Sequence, residues 1–184
     1  EVDTSGGTAD LKGIELSVRN PGTLALAGDT LYVQGVGRYE NIWTSPSTPA
    51  EYSGGISRID LSTFAETLLV DDGDDSAHPY GQISGLAIVS SSVGYFTGYA
   101  AYANETLYRF DPSSGAVQDT PVAAAVAADI QALEVAPDGT LWPGIGDFSA
   151  PEIRIVDPTD DSVTATLPTS KNPTKIVFAT PSNF

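Results

Sequence analysis

Four aspartates crowd one short stretch, Asp71-Asp72-Gly73-Asp74-Asp75, followed by Ser76-Ala77-His78. Carboxylate oxygens around a glycine turn are the hard donors that Ca²⁺ takes, so Asp71, Asp72, Asp74 and Asp75 are the candidate metal ligands. Their spacing is not that of an EF-hand loop, which alternates its ligands and ends on a distal Glu. The same cluster also reads as an acidic, solvated link between sheets. His78 is the one histidine of the chain. A lone His builds no multi-His metal centre, and no Ser or Cys motif marks it as the base of a nucleophile. Glu134 interrupts an apolar run between Leu133 and Val135, with Asp129 and Gln131 just ahead of it. Burial there would raise its pKa unless a cation pairs with it. Segment 38–53 carries Tyr39, Trp43 and Tyr52. Loops of that length are often functional, and such rings suit a protein interface or the capping of a sheet end. Asn104-Glu105-Thr106 is a formal glycosylation sequon. No phosphate-cradling Gly loop, Walker pattern, nucleophile elbow or basic aromatic patch is present.

The bulk chemistry narrows the classes. With 24 acidic and 8 basic residues in 184, the net charge is −16, which repels nucleic-acid phosphates and anionic lipid. Such a surface favours cations or a basic protein, and it also keeps a protein soluble in salty surroundings. The 41% hydrophobic content suits a folded chain rather than a disordered one. There is no cysteine, so thiol, disulfide and zinc–thiolate chemistry are excluded. No run approaches the roughly 20 apolar residues of a membrane span. The chain opens at Glu1 and holds no Met. This reads as a processed terminus and, with the absence of a signal peptide, as a mature exported segment placed outside the cytoplasm.

What must position these groups is a repeat. Ile56-Ser57-Arg58-Ile59-Asp60-Leu61-Ser62-Thr63 returns as Leu107-Tyr108-Arg109-Phe110-Asp111-Pro112-Ser113-Ser114, and again as Ile153-Arg154-Ile155-Val156-Asp157-Pro158-Thr159-Asp160. The aspartates Asp60, Asp111 and Asp157 stand 51 and then 46 residues apart. Around each copy lie short alternating runs bounded by Gly, Pro, Asp and Ser, which are strand and hairpin signals. The chain is therefore expected to be all-β: a partial β-propeller of about three four-stranded antiparallel blades, near 20–70, 82–120 and 130–168. A flanking strand is expected at each end, over 11–18 and over 173–180, the latter opening a further blade. The Ala-rich stretch from Pro121 to Leu133 has the composition of a helix. It lacks a single apolar stripe, and strand and loop are the preferred reading. Three blades close no ring, so the remaining blades are expected on another polypeptide, on a removed N-terminal half or on a second copy.

The third block runs Pro137-Asp138-Gly139-Thr140-Leu141-Trp142, then Glu152-Ile153-Arg154-Ile155-Val156-Asp157-Pro158-Thr159, then Ser162-Val163-Thr164-Ala165-Thr166-Leu167 and Asn172-Pro173. It resembles the YVTN-type β-propeller repeat of exported and surface-layer-associated proteins. The first two blocks match more loosely, with Leu31-Tyr32-Val33-Gln34 and Gly94-Tyr95-Phe96-Thr97 where the family has its Tyr-Val-Thr-Asn. The resemblance implies an extracytoplasmic binding or structural scaffold and carries over no catalytic residue. The leading expectation is thus a non-enzymatic scaffold in a larger assembly, with no cofactor unless calcium sits at the aspartates. The alternative is a Ca-dependent propeller hydrolase of lactonase type, drawing on Glu134, Asp129 and Gln131. Neither nucleic acid nor membrane insertion is expected.

Overall fold

The computed structural model describes residues 2–3, 10–11, 13–37, 54–73 and 77–179. Its strands are β1 (Val2–Asp3), β2 (Asp10–Leu11), β3 (Pro21–Ala27), β4 (Thr30–Val36), β5 (Gly54–Asp60), β6 (Glu66–Asp71), β7 (Gln82–Ile88), β8 (Gly94–Ala101), β9 (Asn104–Phe110), β10 (Asp129–Val135), β11 (Leu141–Gly146), β12 (Glu152–Asp157) and β13 (Ser162–Pro168). Beside the small β1–β2 pair there are three antiparallel sheets in simple chain order, β3-β4-β5-β6, β7-β8-β9 and β10-β11-β12-β13. No helix occurs among the described residues.

Period-two alternation gives each sheet two apolar faces. In the middle sheet, Leu86 pairs with Phe96 and Gly94 with Phe110. With Ile83, these residues pack on Tyr32, Ile56 and Val70 of the first sheet. On the opposite face Ala87, Tyr95 and Leu107 pack on Ile130, Leu141, Ile145 and Val156 of the third. Tyr95, Phe96 and Leu107 are fully buried. Each such side chain contributes about 1.5–3 kcal/mol on burial, so the seams between sheets dominate the stability. The first strands β3, β7 and β10 lie side by side as an inner row.

The repeating aspartate makes a turn. Asp60 Oδ1 accepts the Ser62 amide at 2.8 Å and its hydroxyl at 2.6 Å. Asp111 does the same with Ser113, both at 2.7 Å, and Asp157 with Thr159, at 2.8 and 2.7 Å. The Ser62 and Ser113 hydroxyls and amides hold Asp60 and Asp111 below the usual carboxylate range. Four residues on, the amides of Phe64, Gly115 and Asp161 donate back to the carbonyls of the same aspartates at 2.7, 2.7 and 2.8 Å. All three residues have positive φ, of 59°, 80° and 61°. At Gly115 a Cβ would lie 2.0 Å from the Leu69 carbonyl oxygen, so only glycine fits there.

Two expectations are modified. The middle sheet has three strands, and the expected fourth over 116–119 is reduced to a single Phe110–Val117 bridge. Residues 121–128 occupy that edge irregularly, neither helix nor strand. Val122 donates to the Leu107 carbonyl at 2.9 Å, Ala125 accepts from Leu107 at 2.8 Å, and Ala128 exchanges both bonds with Glu105. Pro121 has no amide to offer a ladder, and the small buried side chains of Ala124 and Ala125 let the backbone fold into the seam. The flanking segments 13–18 and 172–179 stand outside every ladder and pack through side chains instead. Ile14, Leu16 and Val18 cover Val33 and Ile59 on the outer face of the first sheet. Phe178 meets Trp142 edge-on at 5.0 Å on the outer face of the third, with Ile176 beside it at 9% exposure.

Polar clips fix the register of each seam. Gln34, fully buried, accepts the Thr23 amide at 3.1 Å and donates to the Ile83 carbonyl of the next sheet at 2.6 Å. Gln34→Leu removes the partners of the buried Ile83 carbonyl and the partly buried Thr23 amide. It should lower unfolding stability by about 2–4 kcal/mol, read as a fall in the urea midpoint without a change in slope. An unchanged midpoint would show the clip to be inert.

Candidate functional site

Three β-bulges lie in line along the inner row. The register slips between Pro21 and Thr23, between Ile83 and Gly85, and between Ile130 and Ala132, with Gly22, Ser84 and Gln131 as the extra residues. Bulges re-aim side chains, and here they turn the start of each inner strand toward one end of the arc. A cavity of about 370 Å³ opens there, lined by Thr23, Ser84, Thr97, Glu105, Gln131 and Glu134 among others. Ser84 and Thr97 share a hydroxyl–hydroxyl hydrogen bond of 2.8 Å. Gln131 donates to Asp129 Oδ2 at 2.9 Å.

Glu105 is the unusual group of this cavity. Its carboxyl takes a hydrogen bond from the Ile130 amide, while its Oε2 is buried with no hydrogen-bond partner. Burial is the main cause that pushes its pKa up to about 7, and the nearby Asp129 carboxylate adds to the rise. A carboxyl poised there exchanges a proton near neutrality, in a cavity that also holds hydroxyls, the Gln131 amide, the Glu134 carboxyl and the apolar Leu86, Ile130 and Leu133. The sequence places Glu105 in a sequon and nothing more. Its burial is created by β10 lying across β9, a contact that no local pattern encodes.

Of the residues singled out from sequence, Glu134 lines the same cavity, although its residue is exposed. Partial burial raises its pKa and the Lys175 ammonium opposes that rise, so the anticipated cation is at hand. Gln131 lines the same cavity and donates to Asp129, which is not part of the lining. The aspartate cluster is treated differently. Asp71 is exposed and accepts the Gly73 amide at 2.9 Å. Asp72 is fully buried and accepts the Tyr80 amide at 3.1 Å, tying the end of β6 to the start of the middle sheet. Asp74 and Asp75 lie outside the described residues, as do Tyr39, Trp43 and Tyr52. Among the described residues no three His, Cys, Asp or Glu side chains gather as a metal site would require, so the described pair does not by itself fit a calcium ion. His78 is exposed and lines a second depression of about 520 Å³ with Tyr80, Tyr99 and Tyr108.

The seam chemistry repeats alongside the site. Arg58 Nη1 donates to the Ser113 carbonyl at 3.0 Å, and Arg109 Nη1 to the Pro158 carbonyl at 2.7 Å. Each arginine stands two residues before its turn aspartate and reaches the turn of the following sheet. Arg109 also pairs with Asp161 at 2.8 Å, which in turn accepts the Tyr95 hydroxyl at 2.5 Å. Burial, reinforced by that bond to Asp161, keeps the Tyr95 phenol protonated far into the alkaline range. In the third sheet the arginine is displaced by one position. Arg154 therefore projects from the opposite face, back toward the Ala124 carbonyl, and Ile155 takes the forward-facing place.

No protein-family model matches the chain, and a search of curated proteins finds no match either. Among solved structures, a gluconolactonase from Xanthomonas campestris superposes with a TM-score of 0.63 at 17% identity, over 96% of this chain and 57% of that one. YCF48 bound to a D1 peptide superposes with a TM-score of 0.46 at 19% identity, over 84% and 43%. The chain thus spans little more than half of the first structure and less than half of the second. At such identities the likeness is one of fold. Three antiparallel sheets stacked face to face, with their first strands in an inner row, make this chain an arc of a β-propeller.

Proposed function

We propose that the chain is a protein-interaction scaffold, an extracytoplasmic arc built from YVTN-like repeats that docks another protein surface through the exposed leucines on the inner strand of its first sheet. The observation that carries this reading is a break in the repeat. Leu86 and Ile88 on β7, and Leu133 and Val135 on β10, pack into the seam toward the preceding sheet. The hairpin registers place Leu24 and Leu26 of β3 in the same positions. These two are 64% and 68% exposed. Two adjacent leucines on the docking face of a strand form an apolar patch of the kind that marks an interface. Covering them would contribute about 1.5–3 kcal/mol each.

The test is a photo-crosslinker in place of Leu24, in the native host. Leu24→p-benzoylphenylalanine should yield an adduct well above 19.1 kDa, whereas the same probe at Val163, which is 43% exposed on the outermost strand, should not. Equal yields at both positions, or none at Leu24, would refute the docking face.

A second reading, hydrolysis, rests on Glu105 alone, as a carboxylate able to act as a base near neutrality in a cavity. Its titration can be checked first. The unfolded carboxyl releases its proton near 4.5 and the folded one near 7. The folded chain therefore holds more protons across that window. Glu105 costs stability progressively as pH rises from about 4.5 to 7, and in full above it. Glu105→Gln mimics the protonated form, so it should melt above the parent at about pH 8 and level with it at about pH 4. The same offset at both pH values would show that Glu105 titrates normally. On a panel of lactones and phosphoesters, hydrolysis by the parent that is lost in Glu105→Gln supports the second reading; equal rates in the two proteins remove it.

A further inference from the structure

The depression of about 520 Å³ beside His78 gathers three tyrosines from separate parts of the middle sheet. Its volume lies within the roughly 300–1,000 Å³ typical of small-molecule sites. Tyr80 comes from the entry to β7, Tyr99 from β8 and Tyr108 from β9. The Tyr80 and Tyr108 rings stand 5.2 Å apart at 67°, so they meet as a corner. Tyr108 stacks on Phe96 at 5.3 Å, and Tyr80 meets the same ring edge-on at 5.3 Å. Phe96 is fully buried, so both tyrosines are braced against the core. The backbone fixes them further. Asp72 accepts the Tyr80 amide at 3.1 Å. A Cβ at Gly98 would strike the Tyr80 carbonyl oxygen, and one at Gly81 would strike that of Tyr99. Only glycine allows approaches that close, and they place the rings before any ligand arrives.

The electrostatics select the guest. Asp72 is a fully buried carboxylate bonded beside the corner, and Asp119 is exposed close by. Burial raises the Tyr80 and Tyr108 phenols above their usual pKa, the Asp72 charge raises both further, and Asp119 adds to the rise at Tyr80. No lysine or arginine is among the described residues that line the depression. We propose that this depression binds an organic cation, an alkylammonium group seated against the Tyr80, Tyr99 and Tyr108 rings. Aromatic faces attract such a group more than an uncharged group of the same shape, and the more so as water is excluded. The neighbouring carboxylates add a longer-range pull, which an anion or a neutral ligand does not gain. Ala25 and Ala27 turn toward the middle sheet, so Leu24 and Leu26 face away from it. Binding here is therefore independent of the docking leucines.

The test is a titration of the full chain followed by heteronuclear NMR. The probes are choline, its uncharged isostere 3,3-dimethylbutan-1-ol and the peptide acetyl-Gly-Lys-Gly-amide. Choline or the lysine peptide should bind at least about tenfold more tightly than the isostere, with shifts centred on the Gly81 and Gly98 amides. Tighter binding of choline assigns the site to a free ammonium compound, and tighter binding of the peptide assigns it to a side chain of another protein. Asp119→Asn changes only an exposed charge and should weaken the cation about two- to threefold while leaving the isostere unchanged. Tyr99→Ala, at a residue 37% exposed, should weaken the cation at least about fivefold, and Tyr99→Phe should restore it. A melting curve like the parent's checks that Tyr99→Ala is folded, and Asp119→Asn carries the comparison if it is not. Equal affinity for choline and the isostere, no saturation by either cation, or shifts centred elsewhere would overturn the proposal.

Discussion

The structure depends on one constraint: the middle sheet is apolar on both faces and must be enclosed by a neighbour on each side. An antiparallel sheet at a surface can leave one face polar. The middle sheet here has no such option, with Leu86, Phe96 and Phe110 on one side and Ala87, Tyr95 and Leu107 on the other. It is satisfied because the first and third sheets enclose it. Those two then each have an outer face to cover. Residues 14–18 cover the outer part of one, and residues 176–178 cover part of the other. On the inner strand of the first sheet, Leu24 and Leu26 stay exposed among the described residues.

Apolar stacking is non-directional, and polar contacts set the alignment. Gln34 joins the bulge of one inner strand to the bulge of the next, and Arg58 and Arg109 pin the outer ends of the seams. The Tyr95–Asp161–Arg109 group does the same within the second seam. A pair of charges partly withdrawn from water adds little net stability, but losing one member leaves the other uncompensated. These groups therefore act against mis-stacked alternatives more than they raise the stability of the correct one.

Much of this was legible in the chain itself. Alternation and turn residues announce the strands, and the aspartate repeat announces its own geometry, because Asp followed two residues later by Ser or Thr closes an Asx turn locally. The third arginine's displacement is visible as a one-residue shift, and period two converts it into a change of face. The candidate site was only half legible. Glu134, Asp129 and Gln131 stand out as polar residues on an apolar strand. Glu105 does not, because its environment comes from β10, some 25 residues further along. The aspartate cluster is ambiguous from composition alone. Its composition reads as solvated or metal-binding, while Asp72 is wholly buried as a backbone acceptor.

The division follows the range of the forces involved. Strand period, turn type and hairpin pairing are decided by neighbours within a few residues, so the sequence alone determined the all-β repeat and its order. Burial is decided by whatever arrives from a distant part of the chain. Only the tertiary structure could show that Gln34 spans two sheets, that residues 121–128 replace a strand, that Glu105 loses its water, and that two leucines in repeat-equivalent positions stay largely exposed among the described residues. The same side chain is core or surface according to the sheet that stacks on it, and stacking is a property of the assembled arc.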